Sequence, residues 1–178
     1  MIREDKGKLW GSATAVLLTG GLVWLLRAGL AVVFRPDYWN PRTIVDDTAV
    51  AGTSLALILL ALGVWSIRLK QRPQGHWRLW LWRVGVAAAC GGALVAGIAN
   101  FGEDWIAIKS LGTFFVFGSL AMFVGLLLAG ISLIGATAVP RWMGWLFIAC
   151  AIGWGAIDLG GGILVGLALI LLGIGQSR

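Results

Sequence analysis

The sequence predicts an all-α fold: a polytopic transmembrane helical bundle that forms a single domain over residues 1–178. The chain is 59% hydrophobic and 12% charged, whereas a soluble domain is about 45–50% apolar and about 25% charged. The charges cluster, and the apolar runs between them reach about 20 residues, enough to cross a hydrocarbon core of about 30 Å. We prefer six spans, at about residues 9–34, 43–67, 79–100, 108–137, 142–157 and 159–175.

The first span follows a short charged tail of residues 1–8. The apolar run at residues 9–34 is longer than the h-region of a signal peptide and has no small-residue cleavage site at its end. We therefore interpret it as an uncleaved span. Arg27 interrupts this run about seven residues, or about 10 Å, from its far end. An arginine at this depth either snorkels to the headgroups or pairs with an acid.

The second span begins after a loop that contains Pro36 and Pro41, which prevent helix continuation. Thr43 and Asp46 then match a capping box, with aspartate in the last place. Asp47 also suits the positive end of the helix that starts here. The span ends before a basic loop at residues 68–78.

The third span carries a face with almost no side-chain volume, closed by Asn100. Span four carries a second stripe of small residues. Small faces let helix backbones approach closely in lipid, so we expect these two helices to pack together, with Asn100 bonded across to span four or span one. A turn over residues 101–105 joins them. The predicted packing residues are Gly85, Ala89, Gly92, Ala93, Ala96, Gly97, Gly125 and Ala129.

The last apolar run, residues 143–175, would be about 50 Å long as one helix, too long for one crossing without strong tilt. Asp158 and the glycines at 160–162 divide it into two pieces. Each piece has about 16 residues and could span about 24 Å. We prefer two spans joined by a glycine turn, and the alternative is one long helix, which gives five spans in all.

The cations predict the orientation. With six spans, ten of the fourteen lysines and arginines lie on the side of the N-terminus, whereas Arg35, Arg42 and Lys109 lie opposite and Arg27 lies within a span. Cytoplasmic loops are rich in lysine and arginine, which predicts a cytoplasmic N-terminus, in a bacterial cytoplasmic membrane. The basic residues follow this rule, so we expect no nucleic-acid partner. Six of the eight acids lie on the other side: Asp37, Asp46, Asp47, Glu103, Asp104 and Asp158.

The sequence offers no catalytic set. Its single histidine, His76, lies in the basic loop, which excludes a bis-histidine haem or a histidine-rich metal site within this chain. Cys90 and Cys150 lie in separate apolar spans and not at C-x-x-C spacing. No serine has a histidine base nearby in sequence, and no G-x-S-x-G occurs. We predict no metal and no cofactor.

Two functions fit these observations. The first is a non-catalytic integral membrane protein that serves as an accessory or scaffold subunit, with the lipid bilayer and other membrane subunits, or a second copy, as its partners. The alternative is a small transporter or channel with an acidic outer-side polar cluster. In that cluster we expect Arg27 to pair with Asp47 first and with Glu103 second. The candidate polar cluster comprises Arg27, Asp46, Asp47, Asn100, Glu103, Asp104 and Asp158.

Overall fold

The computed structural model describes residues 2–36, 43–71, 73–105, 108–137, 139–157 and 160–176, without the side chains of residues 2–12, 70, 104, 105 and 176. The described residues form six helices and no strand. The predicted all-α fold is therefore confirmed. The helices are α1 (Ile2–Phe34), α2 (Ile44–Lys70), α3 (His76–Trp105), α4 (Leu111–Ile134), α5 (Arg141–Gly155) and α6 (Gly161–Gln176).

Four of these helices are long and apolar enough to cross a membrane. Their membrane-compatible parts are Ala13–Phe34, Ile44–Leu69, His76–Glu103 and Leu111–Ile134, which contain 22, 26, 28 and 24 residues. At 1.5 Å per residue, about 20 residues cross the hydrocarbon core. Helices α5 and α6 are shorter, with 15 and 16 residues, and each is about 24 Å long. The architecture is a transmembrane helical bundle.

Two predicted boundaries are wrong. Residues 2–8, expected as a tail, belong to α1, and the turn expected at residues 101–105 is the last part of α3. No proline interrupts either stretch, and a helix satisfies its own backbone hydrogen bonds whether or not lipid surrounds it. Helix α3 also begins earlier than predicted, at His76, directly after Gly75 turns the chain with a φ of 95°.

The last apolar run is divided as the six-span prediction requires. Helix α5 ends at Gly155 and α6 begins at Gly161. Gly160, between them, has a φ of 87°, a left-handed conformation that glycine adopts without steric cost. The N–H of Gly161 donates to the carbonyl of Ala156 at 2.9 Å and closes the turn. Asp158 lies outside the described residues.

The six helices form a closed ring. Each helix packs against its predecessor and its successor in the chain, and α6 packs against α1. Neighbours run antiparallel: Arg78, near the start of α3, lies against Gly135 at the end of α4, while Gly92 lies against Gly118. One end of the ring therefore holds the α2–α3 and α4–α5 connections, and we call it the basic end. The other, acidic end holds the start of α2 and the end of α3.

Glycine packs on glycine at four of the six helix contacts in the described ring. At each of them, a Cβ built on one glycine would collide with the carbonyl oxygen of its partner, and the reverse also holds. Such close backbone approach gains dispersion contacts that lipid cannot supply. The contacts of α2 with α1 and with α3 contain no such pair among the described residues. The pairs are Gly85–Gly125 and Gly92–Gly118 (α3–α4), Gly130–Gly144 (α4–α5), Gly153–Gly161 (α5–α6) and Gly21–Gly166 (α1–α6).

Aromatic side chains cross the interior of the ring. Trp24 of α1 meets Trp154 of α5 edge to face, with ring centroids 5.8 Å apart, and Phe115 of α4 lies 6.3 Å from the same Trp154. Nearer the basic end, Trp82 of α3 meets Phe147 of α5 at 5.8 Å. Helices α1 and α5, and α3 and α5, are not neighbours in the ring, so these contacts fill its centre. Edge-to-face pairs add about 0.5–1.5 kcal/mol beyond their burial.

Candidate functional site

Arg27 is buried within α1, with only 6% of its surface exposed. Its Nε–H donates to the hydroxyl oxygen of Thr53 in α2 at 3.1 Å. The Thr53 hydroxyl in turn donates to the Ala49 carbonyl one turn earlier, at 2.8 Å. A hydrogen bond to a charged group contributes about 1.5–3 kcal/mol. The contact between α1 and α2 has no glycine pair, but it contains this hydrogen bond from a charged group.

Arg27 also lies beside the aromatic interior. Its guanidinium carbon is 5.9 Å from the centroid of the Trp24 ring, and Trp24 is fully buried. The face of an indole ring is electron-rich and attracts a cation, more strongly where water is excluded. Arg27 therefore turns toward the bundle and does not extend to the headgroups.

Asp46 caps α2. Its N–H donates to the Thr43 hydroxyl at 3.2 Å, while its carboxylate accepts from the Thr43 N–H at 2.9 Å and from the Thr43 hydroxyl at 2.8 Å. This is a complete capping box, and the predicted cap is confirmed. Asp47, the next residue, is exposed. The Nε–H of Arg27 thus donates to the Thr53 hydroxyl, which the sequence did not suggest. The pairing of Arg27 with Asp47 or Glu103 stays a prediction.

Asn100 joins α3 to α2, whereas the sequence favoured span four or span one. Its amide nitrogen donates to the hydroxyl oxygen of Ser54 at 2.9 Å and to the carbonyl of Val50 at 3.2 Å. Gly97, one turn earlier, faces the same helix, since a Cβ built on it would lie 3.1 Å from the Ser54 carbonyl oxygen. The small face of α3 is thus shared: Gly85 and Gly92 approach α4, while Gly97 and Asn100 approach α2.

Thr53 and Ser54, adjacent in α2, therefore bond in opposite directions around the ring. Thr53 accepts from Arg27 of α1, and Ser54 accepts from Asn100 of α3. The structure brings Arg27 and Asn100 to this pair of hydroxyls. Glu103 lies elsewhere, because its carboxylate oxygen is 2.6 Å from a Cβ built on Gly112, beside the start of α4. The side chain of Asp104 and all of Asp158 lie outside the described residues.

A groove between α1 and α2 opens beside Arg27. Its volume is about 550 Å³. Two glycines in its walls, Gly29 and Gly52, have no neighbouring atom within 4 Å of a built Cβ. The groove thus presents bare backbone and apolar side chains, with Arg27 among its lining. Its lining residues are Val23, Leu25, Leu26, Arg27, Gly29, Leu30, Val33, Phe34, Thr48 and Gly52.

Sequence reasoning missed Thr53 and Ser54 as site residues, whereas it identified the two groove glycines, Gly29 and Gly52, as small positions for helix packing. A signal for Thr53 existed: it lies seven residues after Asp46, and residues at i and i+7 share a helix face. The same face of α2 includes Val50, whose carbonyl accepts from Asn100. The spacing of Gly29 and Gly52 indicates close packing, but the sequence does not show that nothing lies within 4 Å of a Cβ built on either glycine.

The polar contacts described here are hydrogen bonds between helices. Among the described side chains, no group of three or more histidine, cysteine, aspartate or glutamate residues is placed to hold a metal ion. The Cys90 thiol donates to the Ala61 carbonyl at 3.3 Å and so adds a third polar contact to α2. The predicted absence of a cofactor stays a prediction. Comparison of the chain with protein-family models, with curated proteins and with solved structures gives no match.

Proposed function

We propose that the protein is a non-catalytic accessory or scaffold subunit of a larger membrane assembly, and that its α1–α2 groove receives a transmembrane helix of another subunit. The observation that carries this proposal is the groove itself, with two bare glycines in its walls. The glycine pairs elsewhere in the ring are matched within the chain, whereas Gly29 and Gly52 have no partner of this kind. The proposal includes no nucleic acid and no cofactor.

Small residues favour a protein occupant of the groove. Apolar side chains on a membrane protein face lipid at little cost, so the exposure of Leu26 and Val33, each 70%, does not by itself indicate a partner. Helix association in lipid depends on small residues that let backbones meet closely. Gly29 and Gly52 offer that approach from two sides of one groove. A third helix seated there would gain contacts that flexible acyl chains make only transiently.

The filled interior supports the same function. Contacts between Trp24 and Trp154 and between Trp82 and Phe147 cross the ring at two levels. The polar groups of α2 bond to its neighbours in the ring. These side chains fill the interior and join the helices to one another. A partner helix would therefore bind at the lateral surface of the bundle.

The test is co-purification from native membranes in mild detergent, comparing Gly29→Leu with the control Gly91→Leu. Both glycines are exposed and have nothing within 4 Å of a built Cβ, but Gly91 lies on α3 outside the groove. We expect both variants to fold like the wild type. We expect Gly29→Leu to reduce the yield of the co-purifying subunit by about fivefold or more, since overpacking costs about 1–3 kcal/mol. Gly91→Leu should leave it unchanged.

Two outcomes would contradict this proposal. A monodisperse monomer, with no co-purifying chain in any sample, would leave the groove without a protein partner. A homo-oligomer that Gly29→Leu dissociates would assign the groove to a second copy of this chain, and the accessory role would be wrong. Gly52→Leu, on the opposite wall, gives a second variant with the same expected loss.

The proposed orientation places the N-terminus in the cytoplasm of a bacterial cell, with the protein in the cytoplasmic membrane. Ten cations on one side against three on the other support it. A reporter fused after Gly75 should report a cytoplasmic position, and one fused after Asp37 should report an external position. The opposite result for both fusions would show that the N-terminus lies outside and would contradict the proposed orientation.

The second candidate is a small transporter or channel, and buried Arg27 favours it. An ionisable residue within a membrane span often marks a solute pathway, and Arg27 lines the α1–α2 groove. The test is solute flux into liposomes that contain the purified protein, with Arg27→Gln as the comparison. Flux above the lipid background that Arg27→Gln abolishes would support this function. Flux equal to the background for each solute tried would exclude transport of those solutes.

A further inference from the structure

A second concave surface lies at the basic end, where α2 ends and α3 begins. Its volume is about 360 Å³, at the lower end of the range of about 300–1,000 Å³ for ligand sites. We call it the basic pocket. Two of its six lining residues are arginines. The lining residues are Arg68, Leu69, Pro73, Leu79, Trp82 and Arg83.

The charge of the basic pocket is positive and uncompensated within the described structure. Arg68 and Arg83 both line it, and none of the described side chains forms an ion pair with either. Arg68 is held in place, since its guanidinium carbon lies 4.4 Å from the centroid of the Trp65 ring. Arginine presents its N–H groups in a fork that matches phosphate oxygens. Two arginines converging on one pocket therefore favour a phosphate-bearing anion.

Trp82, in the pocket wall, carries a buried indole N–H. It is 1% exposed, and its indole N–H has no acceptor among the described atoms. An unpaired buried donor costs about 1–3 kcal/mol, and the indole nitrogen of tryptophan can only donate. Because Trp82 lines the pocket, an anion bound there would offer it the acceptor that the protein does not.

The surroundings place this pocket at the membrane surface. Trp65, Trp77 and Trp80 lie on the same two helix ends and are 44%, 57% and 58% exposed. Tryptophan at this exposure is typical of the interface between headgroups and acyl chains. Leu69, also in the pocket wall, is 63% exposed and available to an acyl chain. An anion that enters here comes from the headgroup layer.

We propose that the basic pocket binds the headgroup phosphate of an anionic phospholipid. Arg68 and Arg83 hold the phosphate oxygens, and Leu69 and Leu79 contact the start of the acyl chains. Basic pockets between transmembrane helices are suited to anionic headgroups. The two arginines repel the quaternary ammonium of a choline headgroup, so phosphatidylcholine is excluded although it also carries a phosphate. This site is independent of the α1–α2 groove.

The test measures binding of phosphatidylglycerol to the delipidated protein in detergent, through the rise in unfolding temperature and the lipid retained in native mass spectra. Phosphatidylcholine and inorganic phosphate are the comparison probes. We expect only phosphatidylglycerol to raise the unfolding temperature. Arg83→Gln should weaken its binding about fivefold, as expected for one arginine at a membrane surface. The matched control is Arg141→Gln, which removes one exposed charge from the basic end outside the pocket and should keep wild-type binding.

Trp82→Phe is a second variant for the same binding measurement, and it leaves the charge of the pocket unchanged. It keeps an aromatic ring in the wall and removes the N–H, so we expect a smaller rise in unfolding temperature on adding phosphatidylglycerol, measured from the variant's own lipid-free value. An equal loss of phosphatidylglycerol binding in Arg83→Gln and Arg141→Gln would show that only the overall surface charge matters, and would overturn the proposal. Stabilisation by inorganic phosphate to the same extent would assign the pocket to free phosphate and overturn the lipid assignment.

Discussion

Gly92→Leu should destabilise the bundle by about 3 kcal/mol or more, at the upper end of the range for overpacking. A Cβ built on Gly92 would meet the backbone nitrogen of Met122 and would lie 2.5 Å from the carbonyl oxygen of Gly118. Backbone atoms cannot rotate away as a side chain can. Helices α3 and α4 would have to separate, and their contact is the most extensive in the described ring.

The next residue provides the control. Gly91 has nothing within 4 Å of a built Cβ, so Gly91→Leu should match the wild type. Gly97→Leu should fall between the two, because its built Cβ lies 3.1 Å from the Ser54 carbonyl oxygen. The measurement is the thermal unfolding midpoint of the three variants purified in one detergent. Equal midpoints for Gly91→Leu and Gly92→Leu would contradict the close α3–α4 contact.

This series also shows how far the sequence could predict the packing. Helical spacing identified a small face on α3 and a small stripe on α4, since both depend only on 3.6 residues per turn. Spacing could not tell that Gly97 and Asn100 face α2 while Gly85 and Gly92 face α4. The small face of α3 covers two adjacent rows of residues, each with a spacing of four, and is therefore wide enough to contact two neighbouring helices. Which neighbour receives which row depends on the order of helices around the ring.

The candidate site also contains one feature that the sequence predicts and one that it does not. The cap at Asp46 could be predicted because a capping box is complete within four residues. The hydrogen bond from Arg27 to Thr53 could not be predicted, because it depends on how far α1 is shifted along its axis relative to α2. Charge alone favoured Asp47, but Asp47 is exposed and Thr53 lies beside Arg27. A neutral hydroxyl carries no charge signal in a sequence.

Helix α2 differs from the other five in how it is held. Beside its buried apolar side chains, its contacts with α1 and α3 contain hydrogen bonds of Thr53, Ser54 and the Cys90 thiol, whereas the other helix contacts have glycine pairs. Hydrogen bonds between membrane helices contribute about 0.6 kcal/mol on average, whereas a hydrogen bond to a charged group contributes about 1.5–3 kcal/mol. The open groove lies between this helix and α1, which is where a partner helix could enter with the least rearrangement.

The hydrogen bond between Arg27 and Thr53 should therefore be the strongest of these polar contacts of α2, and Thr53→Val should lower the free energy of unfolding by about 1.5–3 kcal/mol, the range for a hydrogen bond to a charged group. Valine keeps the shape of threonine and removes the oxygen that accepts from Nε. A double-mutant cycle with Arg27→Leu should give a coupling of about 1 kcal/mol or more, as expected for residues in direct contact. The matched control is Thr48→Val, since the Thr48 hydroxyl donates to the Ile44 carbonyl as that of Thr53 does to Ala49, but Thr48 is exposed.

The outcome separates the interpretations of Arg27. Strong coupling to Thr53, with coupling below about 0.3 kcal/mol for Thr48, would show that the buried cation fastens α2 to α1. Asp47→Asn tests the partner that charge alone favoured, and its exposure leads us to expect little coupling to Arg27. If Thr53 coupled no more than Thr48, the buried hydrogen bond would contribute nothing measurable to stability. An intramembrane arginine whose hydrogen bond to Thr53 does not stabilise the bundle is a stronger candidate for a solute pathway, and that function would then gain over the accessory one.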